Sequence, residues 1–210
     1  MKIRYLGHSC FLMEEKSRFV TDPYTKVGYE MPRVSADFIT CSHAHFDHDY
    51  FAGVTGVKKI IDGEGEFEAG GVRIAGKKFF HDASRGARRG TTIAYSFYFG
   101  DTRVCHLGDL GEPFSQENAA KIGRPDILMI PVGGTYTIDA AEAKKYIGAI
   151  SPDIVIPMHY RTQKCTLDIA PLSEFLAISG RETVVLGALD TADLDKYKGK
   201  IIVMEVRENE

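Results

Sequence analysis

The chain has 210 residues, 44% of them hydrophobic and 26% charged, with a formal net charge of −3. That size supports one well-buried core, so a single domain over residues 1–210 is expected. The charge balance gives no electrostatic case for nucleic acid or an anionic membrane, which would favour a basic face, and no apolar run reaches the length of a signal segment or a spanning helix, so a cytoplasmic protein is expected.

Strand-like runs open the chain at 2–6, 10–14, 18–21 and 37–41, separated by turn residues. The stretch 47–57 suits a short helix. Further strands follow at 58–61, 72–80, 92–99 and 102–107, broken by Gly70-Gly71 and Gly100-Asp101. The rhythm then changes to a helix at 115–122, an apolar strand at 126–132, an amphipathic helix at 138–150, a strand at 153–158 and a helix at 167–178. Strands at 183–186 and 200–206 close the chain. Strands in both halves, with helices to cover them, predict an α/β fold of four layers, an αββα sandwich. Cys10, Cys41, Cys105 and Cys165 form no Cys-x-x-Cys pair. They read as reduced, structural thiols.

Chemistry concentrates in Cys41-Ser42-His43-Ala44-His45-Phe46-Asp47-His48, which places three imidazoles and a carboxylate in six residues. A shuffled chain of this composition would show the pattern about once in two thousand trials. Imidazole and carboxylate are the donors that zinc and similar divalent ions take. In an extended stretch His43 and His45 would share one side, with Asp47 and His48 turned to an adjacent direction, so one segment could serve two neighbouring ions. Beyond it, His81, Asp109 and His159 each stand where an apolar strand runs out. Asp37 to His43 and Asp153 to His159 share a six-residue spacing, and Pro125-Asp126 repeats its start before Gly133-Gly134. Layered α/β folds build their sites at such strand ends. The seven residues His43, His45, Asp47, His48, His81, Asp109 and His159 suffice for two divalent ions per chain with open positions. The nitrogen-rich set makes zinc the default, with manganese as the alternative.

The order His-x-His-x-Asp-His, lone His, lone Asp, final His resembles the metallo-β-lactamase superfamily. Gly7-His8-Ser9, Phe80-His81-Asp82, His106-Leu107-Gly108-Asp109, Pro131-Val132-Gly133-Gly134 and Pro157-Met158-His159-Tyr160 resemble, within it, small metal-dependent hydrolases related to L-ascorbate-6-phosphate lactonase. The resemblance implies an αββα sandwich with the site on one edge of the two sheets. It implies His43, His45 and His81 at a first metal, Asp47, His48 and His159 at a second, and Asp109 bridging. Asp22 matches a carboxylate that orients the histidine cluster, and His106 is a further candidate behind the ligands.

His8, on a turn beside Ser9, is a candidate for substrate contact. In Ser84-Arg85-Gly86-Ala87-Arg88-Arg89-Gly90, Arg89 is the guanidinium expected to reach an anionic substrate. Tyr136 could donate to developing oxyanion charge. Together these predict hydrolysis of a small molecule, a lactone or related ester, by metal-activated hydroxide, with Asp47, His48 and Tyr136 in the catalytic set. No nucleic-acid or membrane partner is expected, and self-association is left open. The competing readings are a phosphodiesterase on the same scaffold, a mononuclear-iron thiol dioxygenase and a non-enzymatic metal-binding module. Against the first stands the compact, slightly acidic chain. Against the last stands the complete ligand set, since pure binding has no need of open metal positions.

Overall fold

A computed structural model describes residues 1–206. Six strands form the first sheet, in the spatial order β15 (Leu189–Asp190), β1 (Lys2–Gly7), β2 (Cys10–Glu14), β3 (Arg18–Thr21), β5 (Phe38–Thr40) and β7 (Lys59–Ile61). Eight form the second, in the order β14 (Thr183–Leu186), β16 (Ile201–Met204), β13 (Ile154–Met158), β12 (Ile127–Pro131), β11 (Thr102–His106), β10 (Thr91–Phe99), β9 (Val72–Phe80) and β8 (Gly65–Ala69). A parallel ribbon of β4 (Val34–Ser35) and β6 (Val54–Thr55) stands apart.

The first sheet is buried on both faces, and its period-2 pattern shows how. Ile3, Tyr5, Phe11, Met13 and Phe19 point into the main core, where Phe19 packs edge-on against Phe97 and Phe99 of β10. The alternate residues Leu6, Leu12, Val20 and Ile39 face outward, under a cover of Tyr24, Val27, Val34 and Val54. The central parallel strands β12 and β13 are buried at every position, as strands sandwiched on both faces must be. α1 (Gln116–Ile122), α2 (Ala140–Ile150) and α3 (Leu172–Ser179) belong to this second half, with α4 (Leu194–Tyr197) before the last strand. The stripe Ala143, Tyr146, Ile147 and Ile150 puts α2 into the main core. Asp139 caps its start by accepting from Glu142 N at 2.9 Å. Among the described residues no helix is long and apolar enough to cross a membrane.

Two predicted helices are corrected. Residues 47–57 hold no α-helix: turns through Asp47 and His48 lead to one 3-10 turn, Phe51–Gly53, and then β6. Pro23 O takes the Tyr50 N–H and Thr25 N takes the Phe46 carbonyl that a helix would pair, while His8 and Asp22 hold the Asp47 and His48 side chains inward. The outer layer over the first sheet is therefore mostly irregular chain. The helix expected at 167–178 starts only at Leu172, because Pro171 stands before it and Ala170 N is committed to Gly133 O. The edge strand β8 was not anticipated: it alternates, but Gly65, Glu66, Glu68 and Ala69 are all weak strand formers.

Direction is what makes a site. β1, β3 and β5 run parallel in the first sheet, and β9, β11, β12 and β13 run parallel in the second. Their C-terminal ends deliver His8, Asp22 and the 43–48 segment from one sheet. From the other they deliver His81, Asp109, the 133–136 turn and His159.

Candidate metal centre

The seven predicted ligands are brought together, and the centre of the group is one oxygen. Asp109 Oδ2 lies 3.1 Å from His48 Nε2, 3.3 Å from His159 Nε2, 3.5 Å from His81 Nε2 and 3.9 Å from His43 Nε2. Around it the donor atoms sort into two neighbouring groups, His43, His45 and His81 on one side and His8, Asp47, His48 and His159 on the other. Atoms within each group lie within 4.8 Å of one another, and His43 and His48 also group with Asp109.

The cluster does not arise from an extended stretch, as the sequence suggested. Residues 43–49 coil: His45 N donates to His43 O at 3.1 Å, and His48 N and Asp49 N both donate to His45 O. This tight turn, rather than strand alternation, stacks the His43 and His45 rings edge-on with centroids 4.4 Å apart.

Asp22 fixes the turn from behind. Its Oδ1 accepts from Ser42 N at 2.8 Å, and its Oδ2 accepts from Ser42 Oγ at 2.7 Å and faces His48 Nδ1 at 2.8 Å. A carboxylate on Nδ1 sets the tautomer that frees Nε2 for a metal. His106 stands further back and, among the described residues, makes no hydrogen bond to any of the seven. It bonds Ser9 O at 2.8 Å and accepts from Gly108 N at 3.1 Å, holding the loop that leads to Asp109.

The chemistry of the donors fits divalent ions. His43 Nε2, His48 Nε2, His159 Nε2 and Asp109 Oδ1 are buried yet make no hydrogen bond within the protein. Buried polar atoms are rarely left so, and four converging ones point to a missing common partner. Burial drives His43 down to about 3 and His8 down to about 4, so both imidazoles are neutral at pH 7. Burial works against the charged forms of His48, Asp109 and Asp22 as well, but there mutual attraction wins. Asp109 and Asp22 raise His48 well above its usual value, while His159 and His48 hold Asp109 well below the carboxylate range.

Backbone strain collects here too. His8, Asp22 and His159 have φ of 53°, 40° and 52°, in the left-handed region that non-glycine residues avoid. Each costs on the order of 1–3 kcal/mol. A close approach adds to it: a Cβ on Gly133 would lie 2.1 Å from His159 O.

A cavity of about 360 Å³ opens onto the centre, lined by His45, Phe46, Asp47, His81, Arg89, Asp109, Tyr136 and Leu167. Arg89 and Tyr136 both line it, with the guanidinium carbon 5.0 Å from the tyrosine ring centroid. Arg85 and Arg88 are exposed and outside the lining. His8 is a correction: it is fully buried and does not line the cavity. It sits behind Asp47, 3.2 Å from Oδ2, with its ring 4.3 Å from that of His159. The left-handed turn after β1 aims it inward, where a turn residue would ordinarily face solvent. Sequence reading missed Phe46, Leu167 and Ser42 as site residues, although two of them lie inside the dominant motif.

Residues 2–159 match a family model, the beta-lactamase superfamily domain. A UPF0173 metal-dependent hydrolase from Nanoarchaeum equitans is 30% identical, over 77% of this chain and 85% of its own. A UPF0173 protein from Pyrococcus abyssi is 32% identical, over 77% and 84%. A crystal structure of a candidate Zn-dependent hydrolase of the metallo-β-lactamase superfamily from Thermotoga maritima superposes with a TM-score of 0.79 and 35% identity, covering 98% of this chain and 99% of that one. The metallo hydrolase Igni18 from Ignicoccus hospitalis shares the fold, with a TM-score of 0.65 at 21% identity over 99% and 96%.

Proposed function

The chain belongs to the metallo-β-lactamase superfamily and, within it, to the UPF0173 metal-dependent hydrolases, and from that premise we propose that it hydrolyses a lactone or related small ester using two divalent ions. The observation that carries the reading is Asp109 Oδ2, within 3.1–3.9 Å of four imidazole nitrogens drawn from both donor groups. Such a carboxylate suits a shared ligand between neighbouring ions. His43, His45 and His81 would hold one ion, and Asp47, His48 and His159 the other. Bound there, the ions would supply Lewis acidity, lowering the pKa of a water toward ~7 and polarising a carbonyl.

The chain's own groups do the rest. His8, donating to Asp47 Oδ2, keeps that carboxylate ionised and turned toward the cavity. Tyr136 offers a phenolic O–H to negative charge developing on a carbonyl oxygen. Phe46 and Leu167 supply apolar lining for the uncharged part of a small ester. The lactone follows from the motif resemblance rather than from any contact. Zinc follows from the imidazole-rich donors, with manganese second. Four free thiols suit a reducing, cytoplasmic setting.

Elemental analysis of the purified protein, with a lactone and ester panel, tests the proposal. Two zinc or manganese ions per chain and turnover on the panel are expected. Asp109→Asn should lose at least one ion and about a thousandfold in kcat. Iron at one per chain would turn the reading to oxidation of thiols, and no metal after incubation with excess zinc or manganese would overturn it.

A further inference from the structure

The loop after β9 is folded around one carboxylate. Asp82 Oδ1 accepts from Ser84 N at 2.7 Å and from Gly86 N at 3.0 Å, while Oδ2 accepts from Arg88 N at 2.9 Å and Arg89 N at 2.8 Å. Gly90 N donates to Gly86 O, and His81 N closes the loop by donating to Gly90 O. A four-donor clamp of this kind gives an exposed loop a single backbone shape. Its product is the placement of Arg89. Unlike Arg4, Arg18, Arg73 and Arg124, Arg89 has no carboxylate partner among the described residues. Arg89 is half-buried and lines the cavity with His45 and His81, its guanidinium standing over Tyr136. The carboxylates that share the cavity, Asp47 and Asp109, are engaged by histidines. An unpaired guanidinium with a fixed backbone, facing a small cavity, is a receptor for an anionic group.

We infer that the loop from Asp82 to Arg89 is a bracket that selects substrates carrying a carboxylate or similar oxyanion beside the scissile ester. Arg89 makes the contact, and Asp82 acts through it as a positioning residue. The inference rests on the hydrolase reading for its substrate, but the bracket can be tested apart from turnover.

Two esters of matched shape separate charge from size, each rate corrected for spontaneous hydrolysis: mono-4-nitrophenyl glutarate and neutral 4-nitrophenyl 5-methylhexanoate, in which an isopropyl group stands for the carboxylate. The zinc-loaded protein should favour the glutarate about tenfold in kcat/KM, carried by KM. Arg89→Gln should bring that ratio to about one. Arg88→Gln, which removes the same charge from the same loop, should leave it near tenfold. Asp82→Ala should lower the ratio through KM, with Asp82→Asn, which keeps one acceptor oxygen, recovering part of it. A merely structural role for Asp82 would lower both esters equally. Calorimetric titration of the loaded protein with two amides, glutaramate and pentanamide, supplies the second readout. Glutaramate should bind and weaken about tenfold in Arg89→Gln. Equal kcat/KM for both esters, unmoved by Arg89→Gln, overturns the bracket and leaves the hydrolase. Arg89-dependent glutaramate binding without hydrolysis of either ester keeps the bracket and overturns the hydrolase. Failure of both measurements overturns both.

Discussion

The two donor groups around Asp109 are built differently. The group of His8, Asp47, His48 and His159 is buried, contains a carboxylate, and is held from behind by Asp22 and by the backbone bond from His159 N to His8 O at 2.9 Å. The group of His43, His45 and His81 has no carboxylate of its own, and His45 is exposed on the cavity wall. One side is a rigid socket and the other an open face. Neighbouring ions in the two would differ in how tightly they are held and how easily they meet substrate.

The sharpest test removes one histidine from each side. His159→Ala should cost about 2–4 kcal/mol of stability, since it empties a buried, strained position and strips a partner from Asp109. His45→Ala should stay within about 0.5 kcal/mol in urea unfolding of the metal-free proteins. Equal losses would erase the distinction between socket and face. A smaller effect comes from Asp22→Asn, which leaves the shape but removes the charge behind His48. One ion should be released about 10–100-fold more readily in a chelator titration while the other is retained. Loss of both ions together would mean that Asp22 supports the whole turn rather than one side of it.

The smallest expected effect is a pH dependence of the metal-free protein. His8 and His43 have depressed values, so below ~6.5 the unfolded chain binds protons that the native state refuses. Their contribution is complete above ~6.5 and declines as pH falls toward their native values of about 4 and about 3. His48 has a raised value, so its contribution is complete below ~6.5 and is lost as pH rises through its native value. Urea midpoints in chelator should therefore peak near pH ~6.5. A midpoint that rises steadily from pH 5 to 8.5 would contradict the charge states assigned to the socket.

Much of this was legible in the residues, for reasons that can be named. β12 and β13 are continuous apolar runs, the second leading straight into His159, and their burial on both faces leaves little else for them to be. The His43–His48 cluster stood out because three imidazoles and a carboxylate in six residues are rare, whereas His81, Asp109 and His159, ordinary taken singly, were picked out by their order after it. The path between them was harder. Local pattern favoured a helix at 47–57, whereas inward bonds to Asp22 and Asp109 pull that chain into turns. His8 was misplaced because a left-handed turn, not periodicity, decides where it points. Asp82 stood in a quoted motif, but a side chain accepting from four backbone amides leaves no mark in composition or spacing.

The three left-handed residues His8, Asp22 and His159 have an engineering consequence. Glycine would relieve the backbone strain at each of them, yet it would also empty a buried position and loosen the unfolded chain, so stability falls rather than rises. The usual glycine remedy for a left-handed residue therefore fails at all three. Engineering of this scaffold toward heat resistance has to start from other positions and leave these three as they are.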